Sequence, residues 1–286
     1  MPPAGPLFSS TQAAAEFARA LPTRALGRAL RYAARVTSTN DLASDAARGH
    51  APHGSVFVAD EQSKGRGRRG RTWEAPAGAA LLFSVLVREP RLAAERYGWL
   101  ALAAGLAASE ALRETAGVAA VPKWPNDIVV RGTSTDQAPW RKLGGVLCES
   151  LLPAGGPAQP GYVVIGIGLN VTQDASELPP LPKAPATSVL LETGNLIPRS
   201  DLFAAVLVEL ERRLDDLCES DAFVRFRAEL DARMEHAWSG LNLRISQAGR
   251  ERSGRFAGLD DHGRLRLLGA NGSVEYWSDA EILGLE

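Results

Sequence analysis

Gln62-Ser-Lys-Gly-Arg-Gly-Arg-Arg-Gly-Arg-Thr-Trp73 follows directly on an apolar run at 56–59 that reads as a buried strand. Gly65, Gly67 and Gly70 match the spacing of a dinucleotide-binding turn, but that motif needs a helix to open at once behind the pyrophosphate. Here Pro76 and Gly78 intervene, and the apolar run 81–87 reads as a second strand. Nor does a Gly-Lys-Ser/Thr end the loop, so it is not a P-loop. The local unit is strand, basic glycine-rich loop, strand. A regular βαβ alternation is excluded here.

Outward from this unit, the rest of the chain mixes helices and strands without a fixed alternation, so the class is α+β. Residues 1–6 are rich in Pro and Gly, and 8–30 carry short helical patterns. Ser38-Thr-Asn40 precedes the helix-like 41–48. Residues 92–115 have few breakers and predict a long helix that ends at Gly117. A strand at 118–123 stops at Pro125, and 128–131 and 145–151 predict two antiparallel strands around a polar loop, 132–141. A buried strand at 162–167 and a Pro-rich loop at 178–185 come next, then helices at 201–218 and 222–235. After Trp238 the composition changes to short strands (241–245, 252–259, 265–268, 274–277) with turns at Asp260-Asp-His-Gly263 and Asn271-Gly272. That pattern predicts a small β-barrel. The expected division is an N-terminal arm at 1–30, a large unit at 31–237 and a terminal unit at 238–286.

The 286 residues suffice for this plan, and a hydrophobic content of 45% is that of an ordinary globular chain. A net charge of -1 requires neither nucleic acid nor an anionic membrane as partner. Cys148 and Cys218 lie in strand and helix patterns with no neighbouring His, which predicts reduced structural thiols. His50, His53, His236 and His262 show no metal-ligand spacing. No signal-peptide pattern opens the chain, and its most apolar stretch, 98–109, is too short to span a bilayer. A cytoplasmic protein is expected.

Lys64, Arg66, Arg68, Arg69 and Arg71 place five cations in eight residues with no acid among them. Arginine forks suit phosphate and carboxylate oxygens, and glycines let the backbone come close to a ligand, so the loop reads as an anion clamp. A solvated or nucleic-acid-gripping loop is the plainer reading. Such a loop repels itself when empty, which predicts mobility without ligand. Lys123-Trp-Pro-Asn-Asp127 makes a stiff corner after a strand, able to present Lys123, Asn126 and Asp127 to one side; it also reads as a simple turn. Lys142-Leu-Gly-Gly145 sets a cation at the mouth of a strand, where an edge solvator is equally in keeping. Gly166-Ile-Gly-Leu-Asn170 leaves room for a flat or chain-like ligand or serves packing alone. Ser38 reads as a helix N-cap.

Ser38-Thr-Asn40, Gly65-Arg-Gly-Arg-Arg-Gly70, Lys123-Trp-Pro-Asn-Asp127, Lys142-Leu-Gly-Gly145 and Gly166-Ile-Gly-Leu-Asn170, in this chain order, resemble the biotin protein ligase family from about Thr37 to the C-terminus. The resemblance implies a central mixed sheet with flanking helices, like that of class II tRNA synthetases, followed by an SH3-like barrel. It also implies ATP-dependent biotinylation: biotin and ATP give biotinyl-5'-AMP and pyrophosphate, and a lysine of a carboxylase's biotin carboxyl carrier domain then takes the biotinyl group. Mg²⁺ is expected with ATP. By resemblance the biotin site comprises Ser38, Thr39, Asn40, Gln62, Gly65, Arg66, Gly67, Arg68, Lys142, Gly145, Gly166 and Gly168. The adenylate site comprises Arg66, Arg68, Arg71, Trp73, Lys123, Asn126, Lys142 and Asn170. The catalytic set is Lys142, Arg68, Lys123 and Asp127, the last orienting the adenylation centre or Mg²⁺.

Two features depart from the family pattern. The loop 132–141 is longer than expected, and the segment before Ser38 is too short for the helix-turn-helix domain that many relatives carry, so no DNA-binding repressor activity is expected. Two rival readings share parts of the pattern. A lipoate–protein ligase would use the same adenylate logic on a ligand without a ureido group. A nucleic-acid-binding module would use the arginine loop and terminal barrel, with affinity falling steeply in salt.

Overall fold

The computed structural model describes residues 5–132, 140–151, 161–181, 185–238 and 242–285. Most of the loop 132–141, part of the Pro-rich loop 178–185, residues 1–4 and Leu241 lie outside the described residues. Seven strands, β1 (Leu30–Val36), β2 (Val56–Gln62), β3 (Ala80–Val87), β4 (Ala120–Lys123), β5 (Asp127–Arg131), β6 (Trp140–Leu151) and β7 (Tyr162–Asn170), form one sheet in the order β1-β2-β3-β7-β6-β5-β4. Only β1 and β2 run parallel; every other neighbouring pair is antiparallel. The sheet is mixed, as the α+β reading required.

Helices cover both faces. α1 is Thr11–Ala20, α2 Thr39–Arg48, α3 Leu100–Ala116, α4 Val189–Thr193, α5 Arg199–Cys218 and α6 Ser220–Trp238. α3 and α5 pack together over one face, in a core that includes Leu81, Phe83, Leu106, Phe203 and Leu207. α2 covers the other face, where Ala43 and Ala47 meet Phe57, Leu86, Tyr162 and Val164. All eight residues of β3 are therefore buried. This explains why β3 reads as an apolar run, interrupted at Ser84 alone, rather than an alternating one. The edge strand β1 is partly exposed along its length and carries no such signal. The long helix expected at 92–115 starts at Leu100, after a 3₁₀ turn at Ala94–Trp99, and ends on Gly117 in the left-handed conformation, as expected.

One irregularity positions chemistry. Between β5 and β6 the register passes from Ile128↔Gly144 to Val129↔Lys142, leaving Leu143 as an extra residue. In a regular strand, residues three apart face opposite sides. The bulge cancels that offset and puts Lys142 on the same side as Gly145, whose missing Cβ would lie 3.6 Å from Lys142 Nζ.

Five further strands, β8 (Asn242–Gln247), β9 (Arg250–Leu259), β10 (Leu265–Leu268), β11 (Val274–Trp277) and β12 (Glu281–Leu285), form a separate antiparallel sheet in the order β11-β10-β9-β8-β12. It is consistent with an SH3-like unit. Its β9–β10 turn docks on the larger unit, on the turn before α3 and the corner after β4: Trp99 Nε1 donates to Asp261 O and Trp124 Nε1 to Gly263 O, each at 3.0 Å. The tryptophan of the Lys-Trp-Pro-Asn-Asp corner thus anchors the second sheet. Among the described residues no helix is long and apolar enough to cross a membrane.

Candidate active site

α2 begins against β3, and its first turn builds a polar cluster. Ser38 occupies the N-cap position, yet its side chain makes no capping bond. The cap comes from Gln62 instead, whose Oε1 accepts from Thr39 N at 2.7 Å and from Thr39 Oγ1 at 3.1 Å. Ser84, wholly buried in β3, bridges Thr39 Oγ1 (2.7 Å) and Asn40 Oδ1 (2.5 Å). Asn40 Nδ2 donates to Glu149 Oε2 at 2.7 Å and to Leu147 O at 3.3 Å. A Cβ on Gly166 would overlap Asn40 Oδ1, so the glycine makes room for the amide.

The strand ends β4, β5 and β6 supply the cations. Asp127 lies between two lysines, with Oδ1 at 2.5 Å from Lys142 Nζ and Oδ2 at 3.4 Å from Lys123 Nζ. Burial pulls Lys123 below the usual lysine range, with Asp127 opposing the effect. Burial pushes the Asp127 carboxyl up, but Lys123 and Lys142 outweigh it and hold the group below its ordinary value. Asp127 is therefore ionised at neutral pH. Asn126 fixes a third cation: its Oδ1 accepts from Arg68 Nη1 at 3.0 Å while its Nδ2 donates to Val146 O at 2.7 Å.

The arginine loop is closed by Trp73 N bonding to Gly65 O at 3.0 Å. Trp73 lays its indole on the glycine faces of β6 and β7, where a Cβ on Gly168 would come within 2.8 Å of the ring. Lys142 Nζ sits 5.9 Å from the centroid of that ring. The self-repulsion expected of the loop is relieved by carboxylates far away in sequence. Arg66 pairs with Asp41 and Glu149, both at 2.7 Å. Arg68 and Arg69 pair with Asp279, and Arg71 with Glu281, from the second sheet. Exposed pairs are individually weak, about 0.2–1 kcal/mol each. The double variant Asp279→Asn/Glu281→Gln is accordingly expected to raise proteolytic cutting within 64–73 several-fold in the ligand-free protein, and biotin plus ATP to suppress it. An unchanged cutting rate would show that the second sheet does not hold the loop.

A cavity of about 290 Å³ joins these parts. Ser38, Thr39, Asn40, Gln62, Arg66, Gly67, Arg68, Arg71, Trp73, Lys123, Asn126, Asp127, Lys142, Gly145, Gly166, Gly168 and Asn170 all line it. Gly65 does not; it closes the loop behind the wall. Asn170 reaches the wall but spends its amide on Thr187 O (2.9 Å) and Gln173 Nε2 (3.0 Å), which holds the following loop. Sequence reasoning missed Ser84, Glu149, Asp279, Glu281 and Trp140, whose ring lines the cavity with its centroid 5.5 Å from Lys123 Nζ. Ser84 had a signal, as the one polar residue of β3; the others gave none. Burial pushes the Cys148 thiol up to about 12 and that of Cys218 to about 11, which keeps both protonated at neutral pH.

Residues 32–170 match the Biotin/lipoate A/B protein ligase family. A biotin--[acetyl-CoA-carboxylase] ligase of Mycobacterium tuberculosis is 38% identical over 84% of this chain and 83% of its own length. The chain belongs to the biotin protein ligase family. Its fold matches that of a family member from Aquifex aeolicus solved with biotin and ATP, at a TM-score of 0.71 and 28% identity, covering 90% of this chain and 97% of the other. It also matches the Leishmania major biotin protein ligase solved with biotinyl-5-AMP, at a TM-score of 0.55 and 27% identity, over 87% of this chain and 98% of that one.

Proposed function

We propose that the chain is a biotin–protein ligase that activates biotin with ATP and passes it to a lysine of a carrier domain. The supporting observation is the axis of the cavity. A polar cluster at Ser38, Thr39, Asn40 and Gln62, with the Asn40 amide resting on Gly166, leads past Gly168 under the Trp73 ring to Gly145 and the ammonium of Lys142. A bicyclic ureido head on a valerate tail fits that sequence of surfaces, polar groups first, then the glycine floor that Trp73 covers and would uncover as a lid, then a cation.

A biotin carboxylate oxygen attacks the α-phosphorus of ATP and expels pyrophosphate, giving biotinyl-5'-AMP. The ε-amine of the carrier lysine then attacks the acyl carbon, loses a proton, and AMP leaves. Lys142 is assigned to the carboxylate and then to the α-phosphate oxygens, with Arg68 and Lys123 neutralising phosphate charge. This is catalysis by positioning and electrostatic stabilisation, and it needs no enzyme nucleophile. Arg66 and Arg71, already paired with acids, are assigned to holding the loop and meeting ligand charge at its rim. Trp73 and Asn126 serve the adenylate side, the first as a lid and the second by aiming Arg68.

Mg²⁺ would enter on the phosphates of ATP, as it commonly does with only one or two protein carboxylates. Among the described residues no cluster of three metal-binding side chains occurs. Both oxygens of Asp127 are bonded to lysines, so its fit as a Mg²⁺ ligand is poor and its assigned role is to aim Lys123 and Lys142. The carrier is taken to be a biotin carboxyl carrier domain, in line with the name of the mycobacterial relative, and the reaction is placed in the cytoplasm. No repressor function is assigned.

Exchange of labelled pyrophosphate into ATP, run with biotin, with lipoate and with neither, tests the reading. Exchange with biotin alone is expected. Exchange with lipoate alone would replace it with the lipoate reading, and exchange with neither acid would overturn both.

A further inference from the structure

We propose that Glu149 is a positioning residue that sets ligand choice by fixing which end of the Asn40 amide faces the cavity; the proposal rests on the biotin–ATP reading above. Asn40 is 3% exposed. Its Nδ2 donates to Leu147 O (3.3 Å) and Glu149 Oε2 (2.7 Å), and both partners are acceptors, so the amide cannot be turned over. Its Oδ1 takes the Ser84 hydroxyl at 2.5 Å. Both amide hydrogens are spent inside the protein. Asn40 therefore has only a lone pair of Oδ1 to offer, and a ligand group meeting it must be a donor. A ureido ring brings N–H groups; a dithiolane brings none.

Glu149 is the stronger of the two locks, because its bond is short and charge-assisted while that to Leu147 O is long. Arg66 also bonds Glu149 Oε2 at 2.7 Å, but Asp41 takes the same Nη2 at the same distance. Arg66 thus keeps a carboxylate when Glu149 is lost, and the Asn40 amide does not. The Glu149 side chain is 34% exposed, so variants there are expected to fold.

The test compares kcat/KM for biotin with kcat/KM for biotin methylated at the ureido nitrogens, in the wild type, Glu149→Leu and Glu149→Gln, with thermal melts as a check on folding. In Glu149→Leu the biotin-to-analogue ratio is expected to fall about 10-fold or more, the loss of one charge-assisted hydrogen bond's worth of discrimination. In Glu149→Gln, whose amide oxygen still accepts from Asn40, it should stay within about 3-fold of wild type. Equal losses for both substrates in Glu149→Leu would reduce Glu149 to a structural part and overturn the proposal. So would a Gln variant as unselective as Leu. Absence of biotin-dependent exchange in the wild type would instead overturn the functional reading, and this inference with it.

Discussion

Lys142→Ala is expected to lower biotin-dependent pyrophosphate exchange by about 10²–10³-fold, the usual effect of removing a donor aimed at developing charge, while the protein stays folded. The backbone at 142 is held independently of the side chain: its N donates to Pro185 O and its O accepts from Thr187 N, both at 2.8 Å. Alanine thus keeps the bulge and loses only the ammonium. Asp127 keeps Lys123 as a partner, so no buried carboxylate is orphaned. The cost should fall on chemistry more than on stability. Lys142→Arg tests geometry separately, because a guanidinium fork cannot follow a point charge from carboxylate to phosphate in the same space. Exchange in Lys142→Ala within about 3-fold of wild type, with an unchanged melting temperature, would remove Lys142 from the reaction centre.

Gly166→Ala is expected to weaken biotin binding by about 10²-fold. The new methyl overlaps Asn40 Oδ1 and comes within 2.9 Å of Asn40 Cγ. The amide cannot swing aside cheaply, because Ser84, Leu147 and Glu149 hold it on both ends. Either those bonds are lost, at about 0.5–1.5 kcal/mol for each neutral one and more for the charged one, or β7 shifts against β6 at an overpacking cost of about 1–3 kcal/mol. Both outcomes misplace the acceptor meant for the ligand. Gly168→Ala leaves the Asn40 amide untouched and sets its methyl against the Trp73 ring, so any loss there reads the path of the valerate tail and not the amide. Calorimetric titration with biotin reads both variants. A Kd in Gly166→Ala within about 3-fold of wild type would mean that the Asn40 amide is not part of the ligand wall.

Much of the fold was legible because its central strands are buried on both faces. β2, β3 and most of β7 declare themselves as apolar runs bounded by glycine, proline or charge. β1 was not legible, since it carries neither an apolar run nor a clear alternation, and β12 was not because its apolar run, 282–285, is very short. The candidate site was legible as five separate segments, each open to a plain structural reading. Ser38 shows the limit: it stands where an N-cap should, but Gln62 supplies the cap, and nothing local distinguishes the two arrangements.

The sequence by itself determined the chemical inventory: the cations of the glycine-rich loop, the stiff Lys-Trp-Pro-Asn-Asp corner, the small residues on β7, and the family resemblance they carry together. These follow from residue type and short spacing, which local sterics and charge translate directly. Only the tertiary structure decided how the inventory is aimed. The extra residue Leu143 turns Lys142 onto the side of Gly145, Glu149 reaches Asn40 across 109 positions, and Glu281 reaches Arg71 across 210. Such pairings depend on register and on the docking of one sheet against another. Periodicity within a segment holds no record of either.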